Sequence, residues 1–185
     1  MYIKKLILLI IFLLETIAGA IAQSDTLVNM PIDPVNKIVT YQGVVEEPGT
    51  KEELFNRCAS WLVTFFPYPY QVTKIRDEAN GIIKGQPQLR VYDTDENGIK
   101  KDAGMILFDF KIEFKDGRYR YTIDNFVVKK ASRYPIENWL NKQDPQYDAR
   151  WNSYLKQVDD YINNEFLKSL KEKMKPEVKP EEKKW

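Results

Sequence analysis

The sequence contains no histidine and only one cysteine, Cys58, among its 185 residues. Serine or cysteine nucleophiles activated by an imidazole, and zinc sites that use histidine ligands, are therefore excluded. Cys58 has no second cysteine with which to form an internal disulfide, so the fold depends on its hydrophobic core. We accordingly predict no catalytic residue, no metal site and no bound cofactor for this chain.

An excess of charge of one sign is also missing. The 28 Lys and Arg residues nearly balance the 27 Asp and Glu residues, which gives a formal net charge of +1. General binding to nucleic acids or to anionic membranes requires a surplus of Lys and Arg that releases counterions. We therefore expect no nucleic-acid partner.

The first 22 residues have the parts of a secretory signal. Lys4 and Lys5 precede an apolar run over residues 6–14, and Ala-Ile-Ala at 20–22 supplies the small residues that signal peptidase accepts. The run is too short to span a bilayer, which takes roughly 20 apolar residues. We predict cleavage near Ala22, export to the periplasm or the exterior, and no stable membrane anchor afterwards. Cleavage removes two lysines and one glutamate, which leaves no net charge on the mature chain.

Proline and charge divide the rest of the chain into three parts. Residues 23–35 are predicted to be an irregular leader, because Pro31 and Pro34 interrupt a helix or a central strand. Residues 36–174 have the length and apolar content of a single domain. Residues 175–185 are mostly Lys, Glu and Pro, too polar to bury enough surface, and predict a disordered tail.

Two helices of the domain are predicted from apolar residues spaced by three or four. The first begins at a capping box formed by Thr50 and Glu53 and ends near Phe66. The second is long and begins near Pro145, after a short helix at 136–141. The apolar stripe of the first helix consists of Leu54, Cys58, Trp61, Leu62 and Phe65. That of the second consists of Trp151, Tyr154, Leu155, Val158, Tyr161, Ile162, Phe166 and Leu170.

Five strands are predicted, and most are separated by the Asn-Gly or Asp-Gly pairs typical of hairpin turns. From Ile106 to Lys115, apolar and mostly charged residues alternate, which is typical of an antiparallel strand buried on one face. Pro87 indicates an edge or a bulge in the third strand. The chain thus predicts a two-layer α+β domain, with helices on one face of a five-stranded antiparallel sheet. The predicted strands cover 37–46, 70–78, 82–94, 106–115 and 118–129.

Several segments resemble a known family. They are Pro31-Ile32-Asp33-Pro34, Lys37-Ile38-Val39-Thr40-Tyr41, the stretch from Val44 to Leu54, and Gly117-Arg118-Tyr119-Arg120-Tyr121-Thr122-Ile123. Over about residues 30 to 130 the chain resembles the secreted bacterial family called domain of unknown function 4468. The resemblance implies a fold like one half of the TATA-binding-protein saddle, which agrees with the order of strands and helices above. The family has no known activity, so no catalytic residue is implied, and a shared fold does not transfer DNA binding.

The acidic segment from Asp93 to Gly98 allows three interpretations. Its alternating carboxylates and glycine copy the first half of a calcium loop, but Gly104 stands where the loop requires a glutamate. Asn97-Gly98 by itself predicts a hairpin turn, which we favour. The third interpretation is a pair of carboxylates for general acid–base work, as in glycoside hydrolysis. Its members would come from Asp93, Asp95, Glu96 and Asp102.

The face of the sheet that no helix covers is the best candidate for binding. We hypothesise that Arg90, Tyr92, Arg118 and Arg120 form a ligand or partner face for an anionic peptide or glycan. The alternative is an ordinary solvated surface, because residues of opposite charge interleave on the same strands. Cys58 lies on the apolar stripe of the first helix, which predicts an inert packing role.

These features favour an exported, non-catalytic binding or scaffolding domain. Its partner would be an envelope protein or glycan, engaged through the open sheet face or an edge strand. The alternative is a carboxylate-based hydrolase acting on a cell-envelope substrate. A homodimer that buries the open face is a third hypothesis.

Overall fold

A computed structural model describes residues 28–176 of the chain. The predicted signal segment at 1–22 and most of the predicted tail at 175–185 lie outside the described residues. In the described part, no helix is long and apolar enough to cross a membrane. The strands are β1 (Tyr41–Glu46), β2 (Thr73–Asp77), β3 (Ile82–Gly85), β4 (Gln88–Thr94), β5 (Lys100–Lys115), β6 (Arg118–Val128) and β7 (Tyr134–Pro135). The helices are α1 (Lys51–Phe65), α2 (Pro69–Val72), a 3-10 helix (Ile136–Leu140), α3 (Arg150–Asp160), a π-helical segment (Tyr161–Leu167) and α4 (Lys168–Met174).

The strands form one antiparallel sheet of seven, which confirms the α+β fold and corrects the predicted number of five. The order is β1-β6-β5-β3-β2, while β4 pairs with β5 and β7 pairs with β6. β5 has 16 residues, so it pairs with β4 along its first half and with β3 along its second. The predicted third strand is therefore two strands, separated at Pro87, which has no N–H to donate to a neighbour.

The segment predicted as a strand from Tyr70 begins instead as the short helix α2. Pro69 occupies the first turn of this helix, where the fixed φ of proline suits a helical start. β2 consequently begins only at Thr73.

The chain before β1 folds back as a small hairpin. Lys37 turns the chain with a φ of 60°, and Ile32 pairs with Val39. Met30, before the turn, is only 5% exposed and belongs to the core. The part of the expected leader that the structure describes is thus packed against the domain, and β1 starts at Tyr41 rather than at Lys37.

α1 begins at the predicted capping box. The Thr50 hydroxyl accepts a hydrogen bond from the Glu53 N–H at 3.2 Å, and the Glu53 carboxylate accepts one from the Thr50 N–H at 2.8 Å. These bonds satisfy two backbone donors that the helix leaves free at its start. Cys58 and Trp61 of the predicted stripe are buried against the sheet.

The long C-terminal helix runs through α3, the π-helical segment and α4 without a break. Phe166 in the π-helical segment is fully buried. Its ring centroid lies 5.1 Å from that of Trp61, 5.8 Å from that of Phe108 and 5.6 Å from that of Phe110. This ring joins both helices to one face of the sheet, as the apolar stripes predicted. We call the opposite face the open face.

The predicted alternation along β5 is also confirmed. Its core-facing residues are all buried, whereas the residues between them are partly exposed on the open face. The buried residues are Ile106, Phe108, Phe110, Ile112 and Phe114.

Candidate functional site

The open face has two distant ends, and the four predicted site residues divide between them. Arg120 on β6 pairs with Glu113 of β5, whereas Arg90 on β4 pairs with Met105 of the same strand. Eight residues of extended chain separate these two positions by about 25 Å. The structure therefore brings Arg118 together with Arg120 and leaves the other two predicted residues at the far end.

Arg118 and Arg120 border a shallow groove of about 280 Å³ on the open face. Alternate residues of a strand point to the same face, so both side chains lie on the open face, with their Cα atoms about 7 Å apart. Val44 is 59% exposed and, with Ile82, contributes the apolar lining of the groove. We call this site the Arg118–Arg120 groove. Its full lining is Val44, Asn80, Ile82, Glu113, Phe114, Lys115, Arg118, Tyr119 and Arg120.

The cations of the groove differ in how far they are neutralised. The Glu113 carboxylate lies 2.7 Å from the Arg120 guanidinium and 3.1 Å from the Lys111 ammonium. Burial opposes the ionisation of Glu113, but its hydrogen bonds with Lys111 and Arg120 outweigh burial and lower its pKa. Arg118 and Lys115 are cross-strand neighbours that have no ion-pair or hydrogen-bond partner among the described residues. The groove therefore has a net positive charge.

The far end of the open face is occupied by internal contacts. Arg90 forms an ion pair with Asp102. The Tyr92 backbone N–H donates to the Gln157 side chain at 2.9 Å, and the Tyr92 carbonyl accepts from the same side chain at 2.9 Å. The Lys100 ammonium lies 5.8 Å from the centroid of the Tyr92 ring. Gln157 thus joins β4 to α3, while the side chains of Arg90 and Tyr92 contact residues of β5.

The Asp93–Gly98 segment is a turn held by its own side chains, as predicted. The Asp95 carboxylate accepts two backbone N–H groups of the turn at 2.9 and 3.0 Å. Asp93 accepts the Tyr154 hydroxyl at 2.6 Å and lies 3.1 Å from the Arg150 guanidinium. Within residues 28–176, no group of three or more acidic or Cys side chains is placed to hold a metal ion. Of the carboxylates considered for catalysis, Asp93, Asp95 and Asp102 are engaged in structural contacts, and Glu96 is exposed.

A different pair of carboxylates lies near the middle of the open face, where sequence analysis did not find it. Asp109 and Asp124 stand directly opposite each other on β5 and β6 and line one depression of about 400 Å³. Asp109 accepts the side-chain amides of Gln86 at 2.8 Å and Asn125 at 2.6 Å. Burial, and next the charge of Asp109, raises the pKa of Asp124. The two carboxylates thus occupy different environments, which is what separate acid and base roles require.

This pairing has the register of the two-residue turn at Asp116-Gly117, and a β-bulge lies just beyond it. Two residues of β6, Asn125 and Phe126, stand opposite the single residue Phe108 of β5. Asn125 has a φ of 55°, a left-handed conformation that asparagine adopts more readily than most residues. The extra residue shifts the register by one for the pairs beyond it, Leu107 with Val127 and Ile106 with Val128, and leaves the pairing of Asp109 with Asp124 unchanged. The signal in the sequence was the Asp116-Gly117 turn, because counting outward from it places Lys115 opposite Arg118 and Asp109 opposite Asp124.

Cys58 is fully buried, which confirms the predicted packing role. Burial raises the pKa of its thiol well above the ordinary range, so the reactive thiolate is disfavoured. Tyr119 is also buried, and its hydroxyl has no hydrogen-bond partner in the described part of the chain. Neither group is accessible from the open face.

Comparison with known proteins supports the fold. Among solved structures, a TBP-like protein from Parabacteroides distasonis is 18% identical, with a TM-score of 0.60 over 77% of this chain and 96% of that chain. A DUF4468 family protein from Bacteroides ovatus is 15% identical, with a TM-score of 0.62 over 83% of this chain and 96% of that chain. No curated protein matches this chain. At these identities the structural likeness shows the fold alone.

A match in sequence links part of the chain to a family. Residues 41–129 match the family model described as a domain of unknown function (DUF4468) with TBP-like fold. The matched segment extends from the start of β1 past the end of β6 and contains the whole Arg118–Arg120 groove. Over these residues the chain matches the DUF4468 family, which confirms the resemblance found in its sequence.

Proposed function

We propose that this chain is an exported, non-catalytic binding or scaffolding domain that holds an anionic peptide or glycan of the cell envelope. The observation that carries this proposal is the Arg118–Arg120 groove, in which Arg118 and Lys115 have no acidic partner among the described residues. No described helix covers this face, so an extended ligand reaches the groove without any movement of the fold.

The groove suits a ligand that combines carboxylates with apolar surface. A guanidinium donates two parallel hydrogen bonds to a carboxylate, and the free Arg118 is placed to do so. Val44 and Ile82 would lose exposed apolar area on contact, which adds a favourable hydrophobic contribution. An acidic peptide and a glycan of uronic acids share this chemistry.

Fluorescence anisotropy with labelled oligoglutamate and oligogalacturonate probes tests this proposal on the full chain. Replacing both groove arginines, Arg118→Gln with Arg120→Gln, is expected to weaken binding of at least one probe by about tenfold or more. Arg90→Gln is the matched control, because it removes an arginine from the far end of the same sheet. The proposal fails if neither probe binds the unaltered chain, or if the control loses as much affinity as the groove variant.

The exported location has a separate test. Mass spectrometry of the protein recovered from the envelope and the culture medium is expected to show a chain that begins at Gln23. A chain that retains Met1 and is found only with cytoplasmic proteins would contradict export.

A carboxylate-based hydrolase remains the second candidate function, and the Asp109–Asp124 pair favours it. The raised pKa of Asp124 suits a general acid, while Asp109 is the neighbouring carboxylate that would act as base or nucleophile. The test is the release of reducing ends from isolated envelope polysaccharide. A hydrolase would show release that both Asp109→Asn and Asp124→Asn abolish, whereas a binding domain would show none.

A further inference from the structure

The outer edge of β1 presents backbone groups in a regular pattern. Among the described strands β1 pairs only with β6, and the Glu47 N–H donates to the Gly117 carbonyl at 2.9 Å at the end of this ladder. Along an antiparallel strand, the backbone N–H and C=O groups of successive residues point alternately towards the partner strand and away from it. Because the N–H of Glu47 points towards β6, the direction of these groups is known for each residue of β1. The backbone groups of Gln42, Val44 and Glu46 therefore point away from β6.

The leader hairpin covers the edge only before β1 begins. The Thr40 N–H donates to the Pro31 carbonyl at 2.8 Å. The chain preceding Pro31 then turns away, and the Val28 N–H donates to the Asn152 side chain on α3 at 3.1 Å. In the described part of the chain, the outward N–H and C=O groups of β1 have no hydrogen-bond partner.

The sequence of this edge is complementary to itself when a second copy runs antiparallel to it. With Val44 facing Val44 of the second copy, Gln42 faces Glu46 and Glu46 faces Gln42. Each pair exchanges two backbone hydrogen bonds. On the open face the exposed valines meet each other, and each glutamine amide meets a glutamate carboxylate, so no like charges are opposed.

The side chains on the face opposite the open face also fit this register. Gly43 has no side chain, and it would stand opposite Val45 of the second copy, so only one side chain enters that space. The net charge of the chain is only +1, which leaves little electrostatic repulsion between two copies.

From this pattern we propose that two copies of the chain associate by antiparallel pairing of their β1 strands about a two-fold axis at Val44. The contact is isologous, because the same edge serves both copies. It joins the two sheets into one and leaves both open faces exposed, unlike a homodimer that buries those faces. A contact of this length buries less surface than a standard interface, so the dimer is weak and depends on concentration. The inference does not depend on the ligand proposed for the groove.

Introducing a charge at the axis tests the proposal, because residue 44 faces its own copy there. Sedimentation velocity on the full chain is expected to show a reversible dimer. Val44→Lys and Val44→Glu should each weaken self-association by about tenfold or more, since like charges meet at the axis. An equimolar mixture of the two variants should associate again as a heterodimer. Val63→Lys is the matched control, because Val63 is a valine 64% exposed on α1.

Amide hydrogen exchange separates a free edge from a covered one. The amides of Gln42, Val44 and Glu46 should gain protection as protein concentration rises, whereas the inward amide of Val45 should be protected throughout. Protection of the outward amides in the monomer would show that the edge is already covered and would overturn the proposal. An unaltered chain that stays monomeric, variants that associate normally, or a mixture that fails to associate would overturn it as well. Unchanged dimerisation alongside failed probe binding would refute the groove proposal alone.

Discussion

The backbone groups at the β4 edge of the sheet have hydrogen-bond partners from a helix, whereas those at the β1 edge have none among the described residues. At β4, the Gln157 side chain exchanges two hydrogen bonds with the backbone of Tyr92, as a neighbouring strand would. α3 is also held there by the bond from Tyr154 to Asp93. At β1, no described residue supplies such bonds. An uncovered edge is a template for another strand, so the difference shows that the described part of the fold protects its β4 edge and leaves its β1 edge available.

The largest expected effect comes from placing proline at neighbouring positions of β1, whose N–H groups point in opposite directions. Val45→Pro removes an N–H that points towards β6, and it should lower the free energy of unfolding by about 2 to 4 kcal/mol. Val44→Pro removes an outward N–H and should cost only about 1 kcal/mol, because proline is tolerated on the free side of an edge strand. Urea denaturation of dilute protein measures both. Equal losses would contradict the alternation that makes this edge free.

Uncovering the β4 edge should have the next largest effect. Gln157→Ala leaves the N–H and C=O of Tyr92 without their partner, which should cost about 2 kcal/mol of unfolding free energy. Gln157→Glu keeps an acceptor for the N–H and should cost less. Denaturation gives the stability, and faster exchange of the Tyr92 amide would locate the change. A stable Gln157→Ala variant with a protected amide would mean that another group covers this edge.

Removing the tyrosine hydroxyl that joins α3 to β4 should have a smaller effect on the unfolding free energy, and this effect also depends on pH. Tyr154→Phe removes a hydrogen bond to Asp93 and should cost about 1 kcal/mol near neutral pH. Burial, then the hydrogen bond and charge of Asp93, raises the pKa of Tyr154 to about 12, against about 10 in the unfolded chain. The hydroxyl therefore contributes fully below about pH 10, and its contribution is lost as pH rises through about 12. Denaturation from pH 8 to 12 should show the difference between variant and unaltered chain closing, and a constant difference would contradict this assignment.

The smallest effect is expected from Val44→Thr at the free edge. The Val44 side chain is exposed in the monomer, so the substitution should change the unfolding free energy by no more than about 0.5 kcal/mol. Thermal or urea denaturation of dilute protein is sufficient to measure this. A loss well above that limit would show that the open-face side of β1 is packed against part of the chain.

Elements decided by neighbouring residues could be predicted from the sequence. The capping box at Thr50 depends on contacts over one helical turn, and the alternation in β5 reflects burial of one face along a single strand. The turn at Asn97-Gly98 likewise follows from local backbone preference. These features gave the right fold class and the right layers.

Features decided by register between strands could not be predicted in the same way. Pro87 indicated an interruption, but only pairing with the long β5 shows that β3 and β4 are separate strands of the same sheet. The distance between Arg90 and Arg120 also follows from register, because their partners on β5 lie in different parts of that long strand. The meeting of Asp109 with Asp124, by contrast, could have been found by counting outward from the Asp116-Gly117 turn. Basic residues on one face were visible in the sequence, but their grouping was not.

The hydrogen bond between Val28 and the Asn152 side chain joins the first described residue to a helix 124 positions later in the sequence. The Tyr41 hydroxyl is likewise bonded to Asp159, at 2.8 Å. During synthesis the N-terminal segment leaves the ribosome long before α3 exists, so these bonds form only after nearly the whole domain has been translated. The β1 strand is thus held in its final position late in folding. Until then, an emerging chain presents the backbone groups on both sides of β1 to its surroundings, and unpaired strand edges of this kind favour aggregation.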